Sequence, residues 1–570
     1  MTDRIFGVIE RSNHTSLLNP VERGLRPFVL SNDKGLKNGD FVEVEPHRRE
    51  FVLIKNYGPC NLNAINEILI TKKYNIPNIF SDKILKECKK FADFEETPRT
   101  NLTKLPFVTI DGDDSKDFDD AVYAKRTAEG FEIIVAIADV AFYVRPGSAL
   151  DREAYKRGNS VYLPQTVVPM LPEILSNDLC SLNPGVKRPV IACFMSIDKK
   201  GKMLSYRFER ATIKSTARLT YKEVEAAING KFNDNTKKHF TTSIQPVYAA
   251  YFALEHARKA RGTLEIEANE VKIKFDKKGN VIAIEKEKNL TSHKIIEEFM
   301  IAANVAAAKL LGKYKFPVMY RIHDKPLEEK LKELKPVLST FKLKLPDYAA
   351  IKPVHLNKIL EARTLSPGMD DLVLRLQCQA KYSPHNIGHF GLNLPEYAHF
   401  TSPIRRYSDL LIHRALLYAL KMEKNAEAPA KMKVMEETGD HLCQTERRAI
   451  NAEREITARY VSLYMKPLVG AKFEVKISGF SSAGIFVRLE QFAAEGLIPM
   501  RTLPYDHYLL INSNNMLKGK NTKLQLRLGE TLTAVLTEAT PLTGGLIFAY
   551  IPNKPLPKTK TKTKKGKRKT

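Results

Sequence analysis

Six aspartates fall within ten positions of the stretch "TIDGDDSKDFDDAVY", which runs from Thr109 to Tyr123. This clustering stands out because 91 lysines and arginines outnumber 65 aspartates and glutamates in the chain, giving a formal net charge of +26. Carboxylates held this close repel one another strongly unless a cation lies among them. The stretch is therefore a candidate metal site.

Three interpretations compete for residues 111–120. An EF-hand calcium loop needs glycine at its sixth position and glutamate at its twelfth, where this chain has Lys116 and Val122, so it is excluded. A solvated acidic turn stays open as an alternative, although apolar residues directly precede Asp111 and directly follow Asp120. A Mg²⁺ site is favoured, because Mg²⁺ takes carboxylate oxygens, water and substrate phosphate. Paired ions about 3.5–4 Å apart can stabilise both reacting oxygens in phosphodiester cleavage.

A second candidate for chemistry is the segment "HFTSPIRRYSDLLIHRAL". Ser402 is a suitable helix cap and Pro403 suits the first helical position, so the segment predicts a helix that starts there. Arg405 then falls in the first turn. It can pair with Asp409 four residues later, or it can form a phosphate site together with the helix-end N–H groups. The residues alone do not decide between these two interpretations of Arg405.

Aromatic residues supply the third set of candidates. Tyr162 and Tyr320 lie in apolar surroundings that are typical of core positions, but a tyrosine ring can also stack on a nucleic-acid base. Near the C-terminus three phenylalanines alternate with Lys472, Lys476 and Arg488. Half-exposed aromatics among cations suit single-stranded nucleic acid, with core packing as the alternative for each. These phenylalanines are Phe473, Phe480 and Phe486.

The elements that must position these residues follow a β, α+β, β order. Turn-separated apolar runs over residues 1–55 predict a small antiparallel barrel, and residues 56–104 predict a helical connector. Residues 105–465 mix strands such as "EIIVAIADVAFYV" with long helices such as "TSHKIIEEFMIAANVAAAKLLG". Strands return over residues 466–552, and the lysine-rich residues 553–570 are predicted to be disordered. The fold class is thus α+β and multidomain.

Composition narrows the class of function. No apolar run approaches the roughly 20 residues that span a bilayer, and the N-terminus has no apolar signal-peptide core. Six scattered cysteines without a CxxC pair argue against zinc and against a disulfide framework. We therefore expect a cytoplasmic protein with no membrane anchor. The charge stays strongly positive even without the nine lysines and arginines of residues 554–570, which favours a nucleic-acid partner.

The aspartate stretch resembles the signature of the RNB family, the ribonuclease II and ribonuclease R exoribonucleases. The resemblance continues through "RGNSVYLPQTVVPMLPEILSNDLCSLNPG", "HKIIEEFMIAANVAA", "YRIHDKP" and "GHFGLNLPEYAHFTSPIRRYSDLLIHR", and it covers roughly residues 1–552. The segments "RIHDKP", "HFGL" and "SPIRRY" are most similar to the ribonuclease R branch. The resemblance implies an RNB catalytic domain over residues 105–465, flanked by two OB-fold barrels. These are a cold-shock-like barrel over 1–55 and an S1 RNA-binding domain over 466–552.

The family's functional residues carry over position by position. Asp119 matches the essential catalytic residue, and Arg405 matches the arginine aimed at the substrate phosphate, with the adjacent Arg406 as the second candidate. Glu453 resembles a ribonuclease II glutamate near the substrate end, with a plain helix-surface position as the alternative. Tyr162 and Tyr320 match two aromatics that stack on the terminal base, although Tyr320 stands where ribonuclease R usually has phenylalanine. The implied metal ligands are Asp111, Asp117, Asp119 and Asp120.

The resemblance implies a processive 3′→5′ exoribonuclease that hydrolyses RNA to nucleoside 5′-monophosphates. It implies Mg²⁺ as the cofactor, with Mn²⁺ as the alternative. Single-stranded or 3′-overhang RNA is the expected partner, and we expect a monomer. Two alternatives are an enzyme of the ribonuclease II kind that stalls at duplexes, and a catalytically silent RNA-binding protein on the same scaffold.

Overall fold

The computed structural model describes residues 4–552 apart from 13–14, 22–24, 31–34, 48–49, 61, 92–93, 95–96, 267–270, 341–342, 362–368 and 512–514. The lysine-rich segment 553–570 lies outside the described residues, so its predicted disorder stays a prediction. Within the described part of the chain, no helix is both long enough and apolar enough to span a bilayer.

The strands fall in an N-terminal group, a central group and a C-terminal group. In chain order they are β1 Ile5–Ser12, β2 Thr15–Pro20, β3 Phe28–Leu30, β4 Asp40–His47, β5 Glu50–Pro59, β6 Thr100–Asn101, β7 Val108–Asp111, β8 Asp120–Arg126, β9 Gly130–Ala138, β10 Val161–Tyr162, β11 Val167–Val168, β12 Lys187–Asp198, β13 Met203–Lys214, β14 Ala217–Thr220, β15 Val271–Phe275, β16 Val281–Lys286, β17 Tyr320–Ile322, β18 Lys381–Ser383, β19 Lys472–Ser481, β20 Gly484–Leu489, β21 Ala494–Pro499, β22 Tyr508–Ile511, β23 Met516–Gly519, β24 Gln525–Arg527, β25 Thr531–Thr540 and β26 Gly545–Tyr550.

The helices lie mostly between the central strands and before the C-terminal group. They are α1 Leu62–Lys73, α2 Asp82–Cys88, α3 Val140–Tyr143, α4 Ala149–Arg157, α5 Tyr221–Ile228, α6 Asp234–His239, α7 Gln245–Arg261, α8 Thr291–Leu311, α9 Glu328–Thr340, α10 Pro353–Glu361, α11 Met369–Leu376, α12 Tyr407–Ala419 and α13 Met432–Met465.

The N-terminal strands form one curled antiparallel sheet in the order β3-β2-β1-β4-β5. Its two edge strands meet through the rings of Phe28 and Phe51, whose centroids are 3.9 Å apart. The sequence pattern predicts β1, β3, β4 and β5 but misses β2. That strand forms through its partner, because Leu18 lies opposite Ile9 on β1 and both side chains are buried.

The central sheet has seven strands in the order β14-β7-β8-β9-β12-β13-β6. Helix α7 packs on β8, and α8 packs on β9 and β12. Because a strand covered in this way needs little alternation of polar and apolar residues, β9 reads as a nearly continuous apolar run. The predicted strand "EIIVAIADVAFYV" is wrong in its second half, since the chain turns at Asp139 and residues Val140–Tyr143 form α3.

The C-terminal strands close into a barrel in the order β19-β20-β21-β26-β25, with a separate three-stranded sheet formed by β22, β23 and β24. Strands β21 and β26 pair in parallel while the other neighbours of the barrel are antiparallel. The sequence pattern predicts the five barrel strands but not the small sheet. The predicted fold class, α+β with a central catalytic region flanked by small β structures, is confirmed.

A buried charge cluster ties the central sheet together at the end of β9. Asp139 accepts hydrogen bonds of 2.8 Å from both Arg99 and Arg210 through the same carboxylate oxygen. Burial alone would raise the pKa of Asp139, but the guanidiniums of Arg210 and Arg99 more than reverse this and lower it. The carboxylate is therefore ionised and holds two arginines that are themselves almost fully buried.

We predict that Asp139→Asn lowers the free energy of unfolding by about 3 kcal/mol or more, because removal of one partner leaves buried charge uncompensated. Urea-induced unfolding measures the effect. The matched control is Lys274→Ala, which breaks an exposed pair with Glu285 and should change stability little. Equal shifts in the two variants would contradict the prediction.

Candidate active site

The aspartate stretch forms the turn between two paired strands of the central sheet. Asp111 is the last residue of β7 and Asp120 is the first residue of β8. The strands pair antiparallel, with Val108 opposite Val122, so the apolar residues on either side of the turn are buried in the sheet. The carboxylates thus lie where the two strands meet the turn, as the apolar residues on both sides of the aspartate stretch predicted.

Asp119 is the most deeply buried carboxylate of the turn, with 4% of its surface exposed. Its Oδ1 accepts a hydrogen bond of 2.8 Å from the backbone N–H of Ile404. Its Oδ2 accepts no hydrogen bond within the described residues, and the nearest cation is the Nε of Arg405 at 3.7 Å. Burial raises the pKa of Asp119 well above its usual range, and Arg405 only partly opposes this.

The other carboxylates of the turn add to this crowding. Burial and the neighbouring charge of Asp111 raise the pKa of Asp120 to about 7. Burial also raises the pKa of Asp111, although its Oδ1 accepts a hydrogen bond of 2.7 Å from the N–H of Gly112. Asp117 accepts a 3.4 Å hydrogen bond from the Ser115 hydroxyl. The protein itself therefore supplies too little positive charge to keep all of these groups ionised.

The donor set fits a hard divalent cation. Oxygen ligands are the ones that Mg²⁺ and Mn²⁺ prefer, and the buried Oδ2 of Asp119 has no hydrogen-bond donor of its own. Within the described ranges, however, no three His, Cys, Asp or Glu side chains are arranged as a ready-made metal site. The assignment of Asp111, Asp117, Asp119 and Asp120 as ligands stays a prediction.

Two segments far apart in sequence lie side by side next to the turn. The N–H of Ser160 donates to the carbonyl of Arg405 at 3.0 Å, and the N–H of Tyr407 donates to the carbonyl of Gly158 at 2.9 Å. Gly158 has a φ of 76°, and a Cβ there would collide with the Thr445 hydroxyl. Glycine at this position lets the chain pass close to α13, and the two backbone hydrogen bonds bring Tyr162 and Arg405 to the same place.

Tyr162 lies on the rim of the aspartate turn with 39% of its surface exposed. Its hydroxyl donates to Oδ2 of Asp117 at 3.1 Å, and its backbone N–H donates to Oε1 of Glu453 at 3.0 Å. Burial and the carboxylate of Asp117 raise the pKa of the Tyr162 hydroxyl, so this group remains a donor. The structure thus brings together Tyr162, Asp117 and the more distant Glu453.

The predicted helix start at Ser402 and Pro403 is wrong. Helix α12 begins at Tyr407, because the buried carboxylate of Asp409 draws the preceding chain into a turn and accepts a 2.8 Å hydrogen bond from the N–H of Ser402. Arg405 therefore lies outside the helix and makes no pair with Asp409.

The two adjacent arginines have different surroundings. Arg406 donates to both oxygens of Asp409 at 2.8 Å, so its guanidinium already has a partner. The side chain of Arg405 is 43% exposed and points at Asp119. Of the two, Arg405 is the one placed to meet a phosphate.

Tyr320 lies in a different environment from Tyr162. It is 8% exposed, pairs with Ser383 across β17 and β18, and packs within the main hydrophobic core. Its hydroxyl lies beside Gly312 at the end of α8. The base-stacking role of Tyr320 stays a prediction, and its burial weighs against it because little of the ring faces solvent.

The three phenylalanines of the C-terminal barrel also differ. Phe473 packs edge-on against the buried ring of Phe548, at 6.3 Å between centroids, and Phe480 packs against the same core. Phe486 is 46% exposed and keeps a free face. Their predicted RNA-binding role is untested, and Phe486 is the one placed for it.

The cations between these phenylalanines face another part of the protein. Arg488 donates to Oδ1 of Asp371 on α11 at 3.0 Å, and Nζ of Lys476 lies 3.8 Å from its Oδ2. The guanidinium of Arg375, also on α11, donates to the carbonyl of Ser478 on β19. These contacts hold the barrel against α11. The alternation of phenylalanines and cations in the sequence did not predict this role for Lys476 and Arg488.

Sequence reasoning missed the cations that hold the aspartate turn in place. The guanidinium of Arg218 donates to the carbonyl of Gly112 at 3.0 Å. Lys272 pairs with Asp114 at 2.7 Å, and Lys222 pairs with Asp113. These residues lie about 100 or more positions from the turn and belong to no motif, so nothing local in the sequence marks them.

Comparisons with known proteins show what the whole chain is similar to. A family model described as the RNB domain matches residues 99–422. Ribonuclease R of Escherichia coli strain K12 is 39% identical over 487 residues, which cover 83% of this chain and 60% of that protein. Ribonuclease R of Aquifex aeolicus is 38% identical and covers 81% of this chain and 67% of that protein.

Among solved structures, the apo form of Mycoplasma genitalium RNase R superimposes with a TM-score of 0.89 at 29% sequence identity, covering 96% of this chain and 89% of that one. This chain spans about three fifths of the length of the E. coli protein. Because the family model matches more than half of its residues, the chain belongs to the RNB-domain family.

Proposed function

We propose that this protein is a processive 3′→5′ exoribonuclease that hydrolyses single-stranded or 3′-overhang RNA to nucleoside 5′-monophosphates. The observation that carries the proposal is the meeting of three kinds of group at one edge of the central sheet. The first is the crowded aspartate turn. The second is the half-exposed guanidinium of Arg405, whose Nε lies 3.7 Å from Oδ2 of Asp119. The third is the ring of Tyr162, whose hydroxyl is hydrogen-bonded to Asp117. In this proposal the turn binds the metal, Arg405 binds the substrate phosphate and Tyr162 stacks on the base, all at one place.

The metal in this proposal is Mg²⁺ or Mn²⁺, since nucleases of the RNB family generally depend on divalent metals. Asp111, Asp117, Asp119 and Asp120 would hold it. When bound, the metal supplies Lewis-acid stabilisation of the charge that develops on the phosphate oxygens during hydrolysis. The raised pKa values of Asp119 and Asp120, caused first by burial, support this assignment, because a bound cation would oppose that effect and favour the ionised carboxylates.

The protein's own groups bind and orient the RNA. The guanidinium of Arg405 offers charge-assisted hydrogen bonds to the scissile phosphate. The Tyr162 ring stacks on the terminal base. The hydrogen bond from its hydroxyl to Asp117 orients the ring, and the bond from its backbone N–H to Glu453 holds the strand that carries it. Water adds to the phosphorus as the bond to the 3′ oxygen of the preceding nucleotide breaks. The released nucleotide keeps the 5′ phosphate, and the shortened strand ends in a 3′ hydroxyl.

The substrate class follows from charge and from the relatives. A chain with a net charge of +26 attracts a polyanion. One solved neighbour is Mycoplasma genitalium RNase R in complex with ribose-methylated single-stranded RNA, and RNA is the substrate that we propose here. The C-terminal barrel would add a stacking face at Phe486 and the exposed Lys472.

Product analysis on a 5′-labelled single-stranded RNA with Mg²⁺ tests the proposal. We expect unlabelled mononucleotides and one short labelled end product, without a ladder of intermediates, because a processive enzyme stays on its strand. Labelled mononucleotide at early times would show the opposite polarity. Binding without any cleavage across a metal titration would favour the catalytically silent alternative.

We predict that Asp119→Asn abolishes cleavage while RNA binding survives or improves. The substitution removes the most buried carboxylate of the turn and also removes a repulsion with RNA phosphate. Loss of a metal's stabilisation should cost several kcal/mol in the barrier. Single-turnover cleavage and a filter-binding assay measure the two effects.

The matched control is Asp113→Asn, which changes an aspartate of the same turn that pairs with Lys222 and should leave most of the activity. The assignment of Asp119 is wrong if the folded Asp119→Asn protein keeps more than about a tenth of the wild-type turnover.

We predict that the protein discriminates RNA from DNA at the 3′ end through the ribose 2′ hydroxyl. A site built to bond that hydroxyl leaves buried groups unpaired when it is missing, and the rate penalty can reach roughly 10⁴-fold at such sites. A chimeric strand with deoxyribose only in its last few 3′ nucleotides tests this. Phosphate and stacking contacts are shared, so the chimera should still compete for binding. Its degradation at the all-RNA rate would place the discrimination elsewhere.

A further inference from the structure

A cavity of about 450 Å³ lies far from the aspartate turn. It is lined by residues of the connection between β12 and β13 and of helices α7 and α8. Asp120 lies opposite Ile137 near one end of β9, whereas Asp198 beside the cavity lies opposite Gly130 at the other end. Seven residues of strand separate these points, which corresponds to about 24 Å. The cavity is therefore a separate site.

The cavity is built by a close contact between a turn and a helix. Gly201 in the β12–β13 connection has a φ of 80°, and a Cβ there would collide with the carbonyl oxygen of Ala253 on α7. The remaining walls are mostly apolar and include Met203, Leu254 and Ile301. Its volume lies within the range of about 300–1,000 Å³ that holds small-molecule ligands.

A single buried carboxyl group faces this apolar space. Glu298 on α8 is 3% exposed and lines the cavity. Its Oε1 accepts no hydrogen bond within the described residues, and its only ion-pair partner there is Nη1 of Arg258 at 3.4 Å. Burial raises the pKa of Glu298 to about 7, opposed by Arg258. A buried acceptor without a donor costs free energy, which a ligand with N–H groups would recover.

Three lysines also line the cavity. They are Lys200, Lys202 and Lys309. Asp198, which lines it as well, accepts the backbone N–H groups of Lys200 and Lys202 at 2.8 and 2.9 Å. The site therefore combines a buried carboxyl group, apolar walls and three lysines.

We propose that this cavity binds a purine nucleoside monophosphate whose base offers two adjacent N–H donors, as guanine does. The base would lie between the apolar walls with its donors on Glu298, and the phosphate would face the three lysines. Adenine is a poorer fit, because its ring nitrogen at the same edge is an acceptor and would face a carboxylate oxygen. If the proposed exonuclease reaction is correct, its products supply this ligand, so the cavity would sense the products of RNA decay.

Calorimetric titration of the full chain with guanosine 5′-monophosphate tests the proposal without any cleavage step. The titration uses the Asp119→Asn variant, so its result does not depend on whether the chain is a nuclease. We expect one site and at least tenfold weaker binding of adenosine 5′-monophosphate. Glu298→Gln should weaken binding of guanosine 5′-monophosphate at least tenfold, because a carboxamide cannot accept hydrogen bonds from both N–H groups of the base. Lys202→Ala should weaken binding of the nucleotide but leave binding of guanosine unchanged, because guanosine has no phosphate.

Two further variants separate this cavity from the candidate active site. Ala260→Leu adds bulk at an exposed position that lines the cavity and should abolish binding even if Glu298→Gln fails to fold. Tyr162→Ala should leave binding unchanged. The proposal is overturned if millimolar nucleotide does not bind, if the two purines bind equally, or if binding survives Ala260→Leu but is lost in Tyr162→Ala.

Discussion

Mutual repulsion among buried carboxylates is the constraint around which the candidate site is organised. The hairpin β7–β8 places Asp111 and Asp120 at the edge of a buried sheet, with Asp119 deeper still. Removal of a carboxylate from water is costly unless cations or hydrogen-bond donors compensate. The N–H of Ile404 and the guanidinium of Arg405 compensate Asp119, and Arg218, Lys222 and Lys272 contact other residues of the turn. The compensation is incomplete, and an incompletely neutralised site attracts a cation.

The same constraint explains why adjacent residues have separate roles. Arg406 is held by Asp409 through two hydrogen bonds, and that pair shapes the turn before α12. The turn in turn aims Arg405 at Asp119 and leaves its guanidinium half exposed. An arginine that neutralises a buried acid and also remains accessible can exchange part of that interaction for a phosphate. The Arg406–Asp409 pair therefore holds the backbone that carries Arg405.

The sequence predicts well those features that depend on local pattern. Helix α8 lies at Thr291–Leu311, as its apolar repeat indicated, and the barrel strands follow their alternation. It predicts poorly those that depend on distant partners. The burial of Tyr320 depends on the core behind β17, and the end of the strand at Asp139 depends on Arg99 and on Arg210 of β13. No local window contains both members of these pairs, so local patterns cannot resolve them.

The net charge counts cations that internal carboxylates already hold, so fewer cations are free to bind a polyanion than the net charge suggests. Arg99 and Arg210 are buried on Asp139, and Lys476 and Arg488 are directed to Asp371 on α11. The barrel therefore uses two of its cations to fix its position against α11. A barrel that is held in this way can guide a strand along one path, since its exposed Phe486 keeps a constant relation to α11. Its contribution to binding would then come from orientation and stacking more than from charge, while attraction of the polyanion depends on the lysines that remain free at the surface.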